Sequence, residues 1–264
     1  MATGIALPKL GILYGGTFDP VHKGHIAIAT QVRDTFDAQV RLMPAADPPH
    51  RGPPGANADQ RVAMLRLAIA GVSRLVLDLR ELARDGPSFT VDTLQELRAE
   101  VGHDAPWAIV VGADSLRTLD QWRRWRELFE LVHLIVAERA AAGRAITEHA
   151  VAEHAVAEHA VAKHAVAEQA VIEHVTAAAA INAQAGDSVR VGLPEAIERA
   201  VSGRWISDPQ ALRERAAGWV FALRQPLLPH SATALRHRIA AGEPWRDWVA
   251  PAVADYIDQQ HLYR

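Results

Sequence analysis

The chain has no cysteine in its 264 residues, which excludes a disulfide framework, a thiolate nucleophile and a cysteine-ligated zinc. It also lacks a basic surplus. The formal net charge is -3, so nucleic acid is not expected as its main partner, although a local arginine cluster could still hold a nucleotide phosphate. Long apolar runs are missing too. The opening MATGIALPKLGILYGGT is broken by glycine and proline and fits neither a signal peptide nor a membrane span. A cytoplasmic protein with no membrane partner is expected. With 49% apolar residues, the length suits one good core and room for a smaller second unit.

Short apolar runs alternate with segments of helical spacing. Leu10 to Tyr14 reads as a buried strand running into the turn Gly15-Gly16. Asp19-Pro20 reads as an N-cap and first helical position, ahead of Ile26, Ala29, Val32 and Phe36. Further strands are expected at Gln39–Met43, Leu75–Leu79, Trp107–Val111, Val132–Ala137 and Gly218–Leu223. Asp59 and Thr90 are expected to cap two intervening helices, Ser231 to open a third, and Val253, Tyr256 and Ile257 to lie on a last one. The stretch ADPPHRGPPGANAD reads as a loop. Strands alternating with helices predict an α/β fold, a Rossmann-like doubly wound parallel sheet with helices on both faces.

From Arg144 the composition changes to a pentapeptide repeat, EHAVAEHAVAEHAVAKHAVAEQAVIEH, followed by an alanine run. Alanine favours helix. A five-residue step turns a helix by about 500°, roughly 140° net, so valines and histidines spiral around it without forming a stripe. Three parts are expected: an N-terminal part of the core over 8–143, a low-complexity, solvated insertion over 144–185, and the C-terminal part of the same core over 186–264. The repeat histidines His149, His154, His159, His164 and His174 are scattered by the same step, which disfavours metal binding; a tolerated slippage expansion is the simpler reading.

The densest chemistry lies in Gly15-Gly16-Thr17-Phe18-Asp19-Pro20-Val21-His22-Lys23-Gly24-His25. Glycines let backbone approach a ligand, and a helix N-terminus favours anionic phosphate. His22 and His25, three apart, share one helix face and can bind charge growing in a phosphoryl transition state. No acidic partner nearby suggests a metal site. The Rossmann dinucleotide fingerprint fits poorly, because its third glycine is missing. Ser231, Thr233 and Arg236 offer hydroxyls and a guanidinium at a helix start, which suits phosphate but also an ordinary capped helix. Gly112-Ala113-Asp114-Ser115 follows a buried strand, where open α/β sheets place ligands; Asp114 could equally be a helix cap. Trp122 could be core.

The string GGTFDPVHKGH resembles the N-terminal motif of the nucleotidylyltransferase superfamily, whose signature is H-x-G-H, and within it the bacterial nicotinate mononucleotide adenylyltransferases. Pro48-Pro49-His50-Arg51, Pro87-Ser88-Phe89-Thr90, Gly112-Ala113-Asp114-Ser115, Trp122, Ser231-Ala232-Thr233-Ala234-Leu235-Arg236 and the final YIDQQHLYR match in order, over nearly the whole chain except the repeat. The resemblance implies transfer of the adenylyl group of ATP to nicotinate mononucleotide, with Mg²⁺ accompanying ATP. It implies catalytic roles for His22, His25 and Arg236, and an ATP site from Gly15, Gly16, Thr17, Phe18, His22, His25, Gly112, Asp114, Ser231, Thr233 and Arg236. Nicotinate mononucleotide would meet Gly16, His50, Arg51, Ser88, Thr90 and Trp122, with Trp122 stacked on the pyridine ring. Two positions depart from the family pattern: Ala45-Ala46, where asparagine is common, and Arg123, where an aromatic is common. The alternatives are another adenylyl- or cytidylyltransferase of the superfamily, such as one acting on phosphopantetheine, and a non-catalytic nucleotide-binding module. A homo-oligomer is compatible with the sequence.

Overall fold

The computed structural model describes residues 9–46, 55–84, 86, 88–137, 189–224 and 230–264. The expected loop around His50 and Arg51 and the whole repeat insertion lie outside the described residues.

The strands are β1 (Gly11–Gly16), β2 (Val40–Pro44), β3 (Leu75–Leu77), β4 (Trp107–Gly112), β5 (His133–Ala137), β6 (Trp205–Ile206) and β7 (Val220–Leu223). They form one parallel sheet in the order β3-β2-β1-β4-β5-β7-β6. Parallel strands need crossovers, and the helices supply them: α1 (Lys23–Phe36), α2 (Ala58–Ile69), α3 (Thr90–Val101), α4 (Ala113–Arg117), α5 (Leu128–Leu131), α6 (Glu195–Val201), α7 (Ala232–Ala240) and α8 (Pro251–Gln259). Chain from before and after the insertion meets in this sheet, where β5 pairs with β7 from Leu134↔Val220 to Ala137↔Leu223.

Both faces of the sheet are covered, so the strands read as apolar runs rather than as alternations. On one face Ile12, Tyr14, Leu42, Val110 and Ile135 pack with Ile28, Val32 and Phe36 of α1, Leu65 of α2, Leu235 of α7 and Val253 and Ile257 of α8. On the other, Leu13, Ile109, Val111, Leu134 and Val136 pack with Val91, Leu94 and Leu97 of α3, Leu116 of α4, Leu128 of α5 and Ile197 of α6. Phe36 is fully buried, its ring edge-on to Phe221 at 5.0 Å; a side chain so placed is worth roughly 3–5 kcal/mol against alanine.

Several expected boundaries are corrected. Asp19 does not cap α1; the cis Asp19-Pro20 bond lies before it and His22 takes the extended N-cap position. Asn57, not Asp59, caps α2, accepting from the Gln60 N–H while the Gln60 side chain accepts from the Asn57 N–H. Phe89 rather than Thr90 precedes α3. β3 stops at Leu77, because Asp78 turns to hold Arg80 and the chain enters a 3-10 turn over Arg80–Ala83. Two residues long, β6 was not expected at all.

Candidate active site

The sheet order reverses between β1 and β4, whose crossovers leave on opposite faces. Open α/β sheets open a crevice at the carboxyl ends of such a strand pair. The register Gly11↔Trp107 to Tyr14↔Val110 brings the last residues of both strands, Gly16 and Gly112, to that end. The GGTF segment and the GADS segment therefore flank one crevice, as the sequence implied.

Beyond β1 the chain turns sharply. Phe18 adopts φ 49° and is buried, its ring so close to Gly16 that a Cβ there would lie 3.0 Å from it. Edge-on contacts join the Phe18 ring to Tyr14 at 5.6 Å and to His25 at 5.0 Å. The turn thereby braces one of the two candidate imidazoles. His22 and His25 stack with ring centroids 3.7 Å apart, and the His22 N–H donates to Nδ1 of His25 at 3.3 Å. His22 is buried and His25 half-buried. Gly24 explains the glycine of H-x-G-H: a Cβ there would lie 3.0 Å from the His22 ring and 3.4 Å from the His230 side chain.

Arg236 reaches the same place from α7. Its Nη1 donates to the backbone carbonyl of Asp19 at 2.6 Å, which ties the guanidinium to the histidine-bearing segment. Ser231 is the N-cap of α7, with its hydroxyl accepting from the Ala234 N–H at 3.2 Å, while Thr233 is exposed on the first turn. Gly15 is exposed, Gly16, Thr17 and Gly112 are half-buried, and Asp114 is exposed in the first turn of α4; Gly112, not Asp114, holds the N-cap position there.

Phe89, which separates Ser88 from Thr90, and Trp122 pack against the same core cluster. Ser88 and Thr90 flank the start of α3, and the Arg84 guanidinium donates to the Ser88 hydroxyl at 3.2 Å. Trp122 is half-buried against the α3 side of the core. Arg123, at the position where an aromatic was expected, lays its guanidinium over the Phe89 ring at 4.8 Å. The cation on a ring face locks the Trp122 segment to the Ser88–Thr90 segment. His50 and Arg51 lie outside the described residues.

Three contributors were missed in the sequence. Arg61 is almost fully buried on α2 and donates to the carbonyls of Thr17 (2.9 Å), Ala45 (2.7 Å) and Ala46 (3.1 Å), pinning the turn after β1 to the segment after β2. His230 extends the imidazole row, 6.3 Å from His22 and edge-on to Trp248 at 5.0 Å; burial, then Lys23, pulls its pKa below the usual histidine range. The Asp19 carboxylate is a hydrogen-bond acceptor rather than a cap. Only its neighbours in space reveal that, because its partners lie 36 to 244 residues away.

A cytidylyltransferase-like family model matches residues 13–238. A Stenotrophomonas maltophilia protein named "Probable nicotinate-nucleotide adenylyltransferase" is 43% identical over 97% of both chains. One of the same name from Marinobacter nauticus is 36% identical over 96% of this chain and 95% of its own. Among solved structures, Plasmodium falciparum nicotinic acid mononucleotide adenylyltransferase complexed with NaAD aligns at TM-score 0.59 over 97% of both chains, at 13% identity, a likeness of fold.

Proposed function

The chain belongs to the cytidylyltransferase-like family, among its nicotinate-nucleotide adenylyltransferases, and from that membership we infer its reaction: transfer of the adenylyl group of ATP to nicotinate mononucleotide. Nicotinate adenine dinucleotide and pyrophosphate are the products, a step toward NAD. The observation that carries the reading at the level of residues is the stacked His22–His25 pair beside Arg236 at the crevice between β1 and β4.

The 5′-phosphate of nicotinate mononucleotide attacks the α-phosphorus of ATP in line. A phosphate monoester is already ionised near neutral pH, so no strong base is needed. Positioning and charge stabilisation supply the catalysis. His22 and His25 donate to the phosphate oxygens as charge moves onto them, and Arg236 holds the departing pyrophosphate. Ser231 and Thr233 open the helix that faces the triphosphate, and Gly15, Gly16, Thr17, Phe18, Gly112 and Asp114 border the nucleotide. Among the described residues no group of three or more histidine, aspartate or glutamate side chains is placed to hold a metal. Mg²⁺ would accompany ATP and neutralise part of the triphosphate charge.

Trp122 faces the pyridine ring while Ser88 and Thr90 offer the start of α3 to its carboxylate. His50 and Arg51 complete the mononucleotide site by resemblance alone. Among the described residues no helix is long and apolar enough to cross a membrane. We assign the enzyme to the cytoplasm, the reducing setting expected from a sequence without cysteine. The test is pyrophosphate release from MgATP with nicotinate mononucleotide, nicotinamide mononucleotide or phosphopantetheine as acceptor. Fastest release with nicotinate mononucleotide is expected; release with phosphopantetheine alone would favour another branch of the superfamily, and none with any acceptor a binding module.

A further inference from the structure

An ionised carboxylate offers about four acceptor sites and normally draws a nearby guanidinium into a two-pronged pair. The Asp19 carboxylate, only 5% exposed, does otherwise. Its Oδ2 accepts the Gly55 N–H at 2.8 Å, and its Oδ1 accepts the Ala56 N–H at 3.0 Å and the Tyr263 hydroxyl at 2.7 Å. Arg236 comes within 3.7 Å of Oδ2, yet its hydrogen bond goes to the neutral Asp19 carbonyl. Three neutral donors occupy the carboxylate, so the fork of Arg236 keeps its other N–H groups, which have no partner among the described residues. Its side chain is 34% exposed, enough to meet a ligand.

Tyr263 is the donor in this set that comes from a side chain, and it is firmly held. Its backbone takes φ 64°, its ring packs against Gly55, and it joins the α1/α8 side of the core. Burial first, then the bond to Asp19, raise the phenol pKa, so the hydroxyl stays a donor at any working pH. Gly55 and Ala56 follow directly on residues 47–54, which include His50 and Arg51. One carboxylate thus links the arginine assigned to ATP with the end of the segment assigned to the mononucleotide.

We propose that Tyr263 is a positioning residue for adenylyl transfer: its hydroxyl, by occupying Asp19, keeps the Arg236 guanidinium on the Asp19 carbonyl and open to the triphosphate. This rests on the reaction inferred above. Without that hydroxyl, Oδ1 is free to draw Arg236 into a carboxylate pair and away from the phosphates.

The experiment is a double-mutant cycle with Y263F and R236K, following pyrophosphate release while ATP and nicotinate mononucleotide are varied separately. Y263F is expected to lower kcat/KM for ATP about tenfold, the scale of one lost charge-assisted contact, with a smaller change for the mononucleotide and a cooperative melt. Added to R236K, it should cost less than about twofold, because the two act through one contact. An ATP dependence equal to wild type, the same fold loss in both backgrounds, or a loss of activity accompanied by loss of the cooperative melt would each overturn the proposal. Wild-type protein assayed alongside separates the cases: if it is inactive, the reaction assignment fails; if it is active and Y263F matches it, the role of Tyr263 alone fails.

Discussion

His22 and His25 stack with ring centroids 3.7 Å apart at the start of α1, two potential donors placed together where negative charge would grow on a phosphate. Replacing His22 or His25 by alanine should therefore cut turnover by about 10² or more, with ATP affinity less affected; near-normal turnover in either variant would remove both from catalysis. Trp122 sits half-buried, with the Arg123–Phe89 contact beside it. W122A should raise KM for nicotinate mononucleotide far more than KM for ATP. An equal rise for both, with a lower Tm, would mean that the ring is only core. At this scale the sequence is readable where a motif is contiguous, as with the histidines. Arg61 and Asp19 were not readable, because their hydrogen-bond partners come from distant segments, and His230 was not, because only the fold brings its ring to His22 and Trp248.

Among the elements, strand and helix identity follows from apolar runs and 3.6-residue spacing, but the ends do not. Caps moved by one to three positions, and at Asp19 the reason is visible: its carboxylate is taken by the N–H groups of Gly55 and Ala56. The shortest strand, Trp205–Ile206, carries too few residues for a period and is defined only by pairing with β7. β5 holds a feature with a measurable consequence. His133 has no exposed surface; its Nδ1 accepts the Trp219 N–H at 3.0 Å, and its Nε2 is 2.9 Å from the Arg215 carbonyl, which makes it a donor and the ring neutral. Burial pushes its pKa from 6.5 down to about 4. The unfolded chain takes a proton at this site below about pH 6.5 while the folded one does not until near 4, so stability falls as pH drops through that window, by about 3 kcal/mol in full. Tm should decline from pH 7 to 4.5, and H133Q, which keeps a donor and an acceptor but does not titrate, should flatten part of the decline. Parallel slopes for the two proteins would rule His133 out as the cause.

Over the whole molecule, residues on either side of the insertion build one sheet, β5 before it and β7 after it lying side by side. The repeat places no continuous apolar stripe on a helix, and a segment that buries little adds little stability. We propose that the insertion is passive. Replacing 144–185 by a short Gly/Ser linker should leave a folded enzyme of the same mass class by light scattering and with nearly unchanged kinetics; a change of mass class, or about a tenfold loss of activity in a protein that still melts cooperatively, would show instead that the repeat assembles the protein or covers its site. The doubly wound sheet and the position of the crevice were legible from the strand–helix alternation and the family resemblance together. Composition alone reached only the globular class.

In the proposed reaction an adenylyl group moves directly between two bound nucleotides at the crevice between β1 and β4. Its most direct test uses ATP labelled at the α-phosphorus, with Mg²⁺ and nicotinate mononucleotide, followed by separation of small molecules from protein. The label should appear in nicotinate adenine dinucleotide, in step with pyrophosphate release, and none should remain on the protein. Label bound covalently to the chain, or released as AMP without dinucleotide, would rule out direct transfer.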